Sequence, residues 1–236
     1  MLANQMFVNR PVQTEVDYGV RIENVVASGK LEQNLDLNLI SGTVPGARYN
    51  PQRFPGLFFN LKKPKSLLLL FNSGRIISMG TKSAGQAKRA IVKAVRELQS
   101  MGMVILDDPK IEIQNMVACA DLKTKVDLED LASTLRRTIY EPENFPGLIF
   151  MMDEPKVTLL LFANGKVVCA GAKSEDQVHR AVAKLHRTLE LSGFVEAGVR
   201  SLNGESETGV NRGVEFSKGR EPEELVCLAT SSSAEN

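Results

Sequence analysis

The chain has 236 residues, 43% of them hydrophobic and 24% charged, with a formal net charge of +1. That length buries one large core or two small ones, and the composition is ordinary for a soluble globular protein. No apolar run approaches the roughly eighteen residues of a membrane span, Met1 to Arg10 lacks the basic start and apolar centre of a signal peptide, and Cys119, Cys169 and Cys227 are too scattered for a zinc motif or a disulfide framework.

Residues 1–17 are polar and aperiodic, a lead-in without an assigned element. Tyr18 to Ala27 alternates, with Val20, Ile22, Asn24 and Val26 expected on one face and Arg21, Glu23, Val25 and Ala27 on the other. Leu35 to Ile40 starts a helix that Gly42, Pro45 and Gly46 shorten or break. A turn-rich approach through Asn50 to Gly56 leads to a strand over 57–61, a basic loop at Lys62 to Lys65, and strands over 67–71 and 75–79 joined by the Asn72-Ser73-Gly74 turn. Thr81 or Ser83 caps a long helix reaching about Met101, with Ala87, Ile91, Ala94, Val95, Leu98 and Met101 as its buried stripe and Gly102 as its stop.

The second half repeats this order. Phe54-Pro55-Gly56-Leu57 returns as Phe145-Pro146-Gly147-Leu148, Phe71 as Phe162, Asn24 as Asn115 and Gly80 as Gly171, all at one constant offset. A constant offset means two copies of one unit without net insertion between the landmarks, and units this long suit a duplicated half-domain better than a solenoid. The second short helix is expected over 128–138, unbroken and so longer than the first. The second long helix runs from Ser174 to about Leu191.

Each unit thus reads as strand, short helix, strand meander, long helix. One long helix covers only one face of an antiparallel sheet. The other face stays bare yet apolar, with Ile22, Val26, Leu69, Phe71, Ile77 and Met79 and their counterparts, and a broad apolar face is an interaction surface by default. From Ala197 onward Gly, Ser, Glu and Asn dominate, periodicity is lost, and Glu outnumbers Lys and Arg, which reads as a flexible, mildly acidic tail.

Residues 18–196 resemble the TATA-binding protein family, and the short lead-in looks more like that of archaeal members than of animal ones. The resemblance is carried by Tyr49-Asn50-Pro51-Gln52-Arg53-Phe54, Gln114-Asn115-Met116-Val117, Tyr140-Glu141-Pro142-Glu143-Asn144-Phe145-Pro146-Gly147-Leu148, and the run from Gly165 to Ser174. It implies an α+β fold: a pseudo-two-fold duplicated saddle, its curved antiparallel sheet bearing helices on the convex face, with repeats at 18–105 and 106–196 flanked by the lead-in 1–17 and the tail 197–236. It implies a general transcription factor that sits in the minor groove of TATA-like promoter DNA and nucleates the initiation complex. By family position Phe54, Phe71, Phe145 and Phe162 are the wedges that enter base steps; unstacking costs a few kcal/mol per step and is offset by the wider contact a bend allows, an energetic account that belongs to the family rather than to these residues.

The groove floor implied by the resemblance comprises Asn24, Asn115, Val26, Val117, Leu69, Leu160, Ile77, Val168, Met79 and Ala170. Asn24 and Asn115 can donate to the N3 and O2 acceptors that A·T pairs present, while Val26 and Val117 crowd out a guanine amino group, so easily kinked T/A-rich steps are preferred. Arg53, Lys65, Arg75, Lys156 and Lys166 occupy the phosphate-facing positions. Glu141 and Glu143, in the second stirrup loop, stand where the family receives a transcription factor IIB-type partner and through it the RNA polymerase machinery. The resemblance implies no cofactor, no membrane association, and an intracellular setting, cytoplasm and nucleoid in an archaeon or the nucleus in a eukaryote. Self-association through the saddle is a further expectation.

Four positions depart from the family pattern. Met79 and Ala170 stand where threonines usually face the groove, and Asn60 and Met151 where many relatives carry phosphate-binding arginines. Each missing phosphate contact lowers the salt slope by roughly one, so binding should lean on apolar contact. These departures sustain an alternative, a diverged paralogue acting mainly as a protein-interaction or regulatory module with weak DNA binding. An enzyme is disfavoured, because 18–196 leaves no room for a catalytic domain and contains neither a metal-binding carboxylate cluster nor a nucleophile–histidine pair.

Overall fold

The computed structural model describes residues 16–194. The lead-in and tail expectations therefore fall almost wholly outside the described residues. The elements in chain order are β1 (Arg21–Lys30), α1 (Leu37–Thr43), β2 (Gly56–Lys62), β3 (Lys65–Phe71), β4 (Arg75–Thr81), α2 (Ala84–Ser100), β5 (Lys110–Asp121), α3 (Leu128–Thr134), β6 (Thr138–Ile139), β7 (Gly147–Met152), β8 (Val157–Phe162), β9 (Lys166–Ala172) and α4 (Glu175–Leu191). The strands form a nine-stranded antiparallel sheet in the order β2-β3-β4-β1-β5-β9-β8-β7-β6. β1 and β5, first strands of the two halves, pair at its centre, so the pseudo-dyad runs through their seam. The result is the duplicated saddle.

One face carries the helices. Strand residues Val25, Ala27, Leu57, Leu68, Leu70, Ile76, Met116, Ala118, Leu148, Leu159, Leu161 and Val167 are buried there against the stripes of α2 and α4, which include Ala87, Ile91, Ala94, Leu98, Val178, Val182, Leu185 and Leu189. Period two meets period 3.6 across this layer, and each fully buried Leu or Ile side chain contributes about 1.5–3 kcal/mol. Both long helices start by the same device. Ser83 Oγ accepts from Gln86 N–H at 3.2 Å, while Gln86 Oε1 accepts from Lys82 N–H. Ser174 and Gln177 repeat the pair, so the donors left free at a helix start are satisfied from the side chains. Each helix gives way past its C-cap to a glycine with positive φ, Gly102 at 88° and Gly193 at 76°.

Three expectations are corrected. The short helices are equal in length, seven residues each, capped by Asp36 and Asp127, whose Oδ1 atoms each accept from two backbone N–H groups. Gly42 is accommodated inside α1, and α3 stops at Thr134. Leu135 turns extended and Thr138 Oγ1 takes its carbonyl at 2.9 Å, because Thr138 and Ile139 must reach the edge of β7 as β6. Met101 is 42% exposed rather than buried, lying past the last turn of α2 as its C-cap. Ile22 faces the helix layer, not the bare face. A bulge at Glu23 resets the alternation, so Ile22 pairs with Ala118 on the core side and Asn24 with Val117 on the other.

Candidate nucleic-acid interface

The helix-free face is a second apolar surface. Val26, Leu69, Ile77, Val117, Leu160 and Val168 are half-buried, alternate with core residues along their strands, and make no part of the helix-side core. Among the described residues, no helix lies over them. The β1–β5 register builds the centre: Asn24 stands opposite Val117 and Val26 opposite Asn115, with Val25 and Met116 turned to the core between them. Matching bulges at Glu23 and Gln114 bracket this square, so each half contributes one amide and one valine.

The amides are oriented by the backbone. Gly80 N–H donates to Asn24 Oδ1 at 2.8 Å, and Gly171 N–H donates to Asn115 Oδ1 at 2.8 Å. A backbone donor can only face the oxygen, so each NH₂ group points away as a free donor. The glycines make this possible, since φ of +87° at Gly80 and +99° at Gly171 is territory a side chain rarely adopts. The face therefore presents two amide donors on an apolar floor.

A pair of aromatic rings stands at each end. Phe54 and Phe71 are edge-to-face with centroids 6.0 Å apart, and Phe145 and Phe162 at 5.8 Å, both at 64°. None of the four joins the helix-side core. In each half a five-residue turn delivers the first ring, with Asn50 and Glu141 carbonyls accepting from the N–H groups of Phe54 and Phe145. Gly56 and Gly147 lie beneath the rings: a Cβ there would come within 2.6 Å of Phe54 Cε1 and 2.7 Å of Phe145 Cε1. Each end of the face thus carries a half-exposed aromatic pair outside the helix-side core.

The remaining assigned residues fall around this floor. Arg53, Lys65, Arg75, Lys156 and Lys166 are exposed, and none is in an ion pair with a described residue. Met79 is 9% exposed but outside the core cluster, tucked into the bare face opposite Leu67, while Ala170 lies opposite Thr158. Asn60 on β2 and Met151 on β7 are exposed. Glu141 and Glu143 are exposed, and Glu141 Oε2 also accepts from Asn144 Nδ2 at 3.1 Å, which stiffens the turn carrying Phe145. Arg137 and Asp153 form an ion pair at the second hairpin, whose tip is tied back by Lys184 Nζ donating to Glu154 O. Lys93, on α2, does the same for the first hairpin, its Nζ donating to Lys63 O at 2.8 Å.

Several residues of this face were not singled out by sequence. Phe58, Ile149, Leu67 and Thr158 extend the floor on β2, β7, β3 and β8, and the period-two pattern running back from Leu69 and Leu160 was the available signal. Cys119 lies on this face opposite Arg21; burial first, and then the Glu23 charge, push its thiol up. Cys169 faces the core, and burial pushes its thiol up to about 12. His186, 9% exposed, stacks against Tyr18 with centroids 5.3 Å apart and has Glu190 within 3.5 Å. It packs inside the fold rather than on the interface. Among the described residues no group of His, Cys, Asp and Glu could hold a metal, and no helix is long and apolar enough to cross a membrane.

A duplicated saddle with a bare apolar face, a donor-only centre and an aromatic pair at each end defines a surface built to sit on a long, two-fold-like partner. The family model of "Transcription factor TFIID (or TATA-binding protein, TBP)" matches residues 19–101 and again 110–191. The chain belongs to this TATA-binding protein family. It is 48% identical over 169 residues to the TATA-box-binding protein of Pyrodictium occultum, covering 72% of this chain and 85% of that one. It is 47% identical over 170 residues to that of Sulfolobus acidocaldarius, covering 72% and 86%. Among solved structures, "Methanococcus jannaschii TBP" superposes with a TM-score of 0.68 at 44% identity, covering 73% of this chain and 98% of that one.

Proposed function

We propose that this chain is a general transcription factor that binds TATA-like promoter DNA inside the cell through the minor groove and bends it, with no catalysis of its own. The observation that carries the reading is the pair of oriented amides. Gly80 and Gly171 hold the Asn24 and Asn115 oxygens, leaving only N–H donors at the centre of the face. A·T pairs offer the minor groove only acceptors, whereas G·C adds a donor that would meet the Asn24 and Asn115 donors or the methyl groups of Val26 and Val117. Phe54 with Phe71 and Phe145 with Phe162 enter base steps at the two ends, and their separation along the sheet spreads the kinks over the site. Arg53, Lys65, Arg75, Lys156 and Lys166 take phosphates along the rims. Glu141 and Glu143 remain outward on the second stirrup for a transcription factor IIB-type partner, which links the complex to the polymerase.

The test is a salt series on a TATA duplex and on a G·C-scrambled one, with dyes at both duplex ends to report the bend. Five phosphate contacts give a slope of log K on log salt of about −4.5. Selective, bent binding with that shallow slope is expected. Weak, unselective, unbent binding would instead support the diverged interaction module, which the covering of Met79 and the neutral Asn60 and Met151 favour.

A further inference from the structure

The two halves of the face are not equivalent in one row. Between the central amides and the rings, the cross-strand rows Phe58–Leu69–Ile77 and Ile149–Leu160–Val168 match in character. The neighbouring rows do not. The first half has Asn60–Leu67–Met79, and the second Met151–Thr158–Ala170. Directly opposed residues lie about 5 Å apart at Cβ, so each row is a single contact patch for a base pair.

In the first half Leu67 and Met79 offer neither room nor an oxygen acceptor, and Met79, at 9% exposure, already fills the space. In the second half Ala170 stops at Cβ, and opposite it stands half-exposed Thr158, which carries a hydroxyl. Neither neighbour across the strands, Met151 nor Ala170, carries a side-chain group that would compete for that hydroxyl. A hydroxyl has two acceptor lone pairs. The donor that marks a G·C pair in the minor groove is the guanine amino group. The second row can take that donor beside Ala170, whereas in the first Met79 fills the matching place and the row's one amide oxygen, on Asn60, stands two strands away beyond Leu67.

We propose that the face accepts one minor-groove amino group, over Thr158 and Ala170, and rejects it at the equivalent place over Leu67 and Met79. Thr158 accepts from the amino group, and Ala170 supplies the space. The protein thus tolerates a single G·C pair in one half-site, and that pair sets which way round it binds. The inference rests on the minor-groove reading above and assigns a specificity to one of its rows.

The experiment is a scan of a symmetric T/A-rich duplex with 2,6-diaminopurine, which adds the minor-groove amino group to an adenine. At most positions one substitution should weaken binding about tenfold to a hundredfold, the range of one mismatched pair. At the two symmetry-related positions under the unequal rows, a single substitution should cost less than about threefold, because the protein turns round to place it over Thr158. Substituting both together should restore the full penalty, since only one half can accept. Thr158→Val should abolish the tolerance, so that the single substitution costs the full penalty measured against the variant's own affinity for the plain duplex, with the unfolding midpoint near the parent's. Leu67→Thr with Met79→Ala should make the doubly substituted duplex acceptable. A full penalty for the single substitution, tolerance of the double, or tolerance surviving Thr158→Val would overturn the inference while leaving the promoter-binding reading intact. Lack of preference for the plain duplex over a scrambled one would overturn both.

Discussion

Asn115→Asp separates what the central amide does for the fold from what it does for recognition. Aspartate is nearly isosteric, and its Oδ1 can keep the 2.8 Å bond from Gly171 N–H, now charge-assisted. Stability should therefore change by less than about 1 kcal/mol, the usual scale for a surface substitution that breaks no network. The outward NH₂, however, becomes a second acceptor. In the proposed complex it would face base N3 and O2 atoms in a water-poor groove, losing a net hydrogen bond of about 0.5–1.5 kcal/mol and leaving acceptors unpaired at about 1–3 kcal/mol. Together these come to roughly 1.5–4.5 kcal/mol, a loss of affinity of about 10- to 2,000-fold. Fluorescence anisotropy on the TATA duplex measures this, with urea unfolding as the control. Protonating the new carboxyl restores a donor. The bound form holds that proton more tightly than the free form, so the variant's affinity should recover as pH falls toward the ordinary aspartate value of about 4. The parent has no such group and should show no recovery. Binding by Asn115→Asp within about threefold of the parent at neutral pH would refute the donor argument, since one donor lost against an unpaired acceptor costs at least about 1 kcal/mol.

Gly147→Ala places a Cβ 2.7 Å from Phe145 Cε1 and 3.2 Å from Phe162 Cε1, so both rings must move. End-to-end fluorescence transfer should show the bend reduced and affinity down about tenfold or more, with little change in stability because the rings are outside the core; an unaltered bend would mean these rings are not the wedges. Cys169 provides a pH signature. Its folded thiol is held at about 12 against an ordinary 9, so the stability it contributes is intact below about pH 9 and falls at up to about 1.4 kcal/mol per pH unit as pH rises toward 12. The stability difference between the parent and Cys169→Ala, read from urea midpoints at pH 8 and pH 10.5, should shrink at the higher pH. Alkylation in a Cys227→Ser background should modify half-exposed Cys119 and spare Cys169, with bound TATA duplex protecting Cys119; modification undiminished by DNA would place the duplex elsewhere.

Much of this was legible in the chain because period and repetition are properties of sequence. Alternation over β3, β4, β8 and β9, the 3.6-residue stripes of α2 and α4, and the doubled Phe-Pro-Gly and Asn landmarks determine a two-unit antiparallel sheet with helices on one side and a bare apolar face on the other. The capping serines and the stop glycines are equally local, each a choice made within one helical turn. What sequence did not settle depends on pairing between distant strands. Ile22 changes face because the bulge at Glu23 is imposed by register with β5, and a one-residue slip reverses every side chain beyond it. The length of α3 is set by where Thr138 must meet β7. The direction of each central amide comes from a glycine N–H 56 positions away. The contrast between Leu67–Met79 and Thr158–Ala170 exists only once β3 lies beside β4 and β8 beside β9. Local propensity writes the elements and their faces; only the closed sheet, by fixing which residues stand opposite one another, decides what the face can recognise.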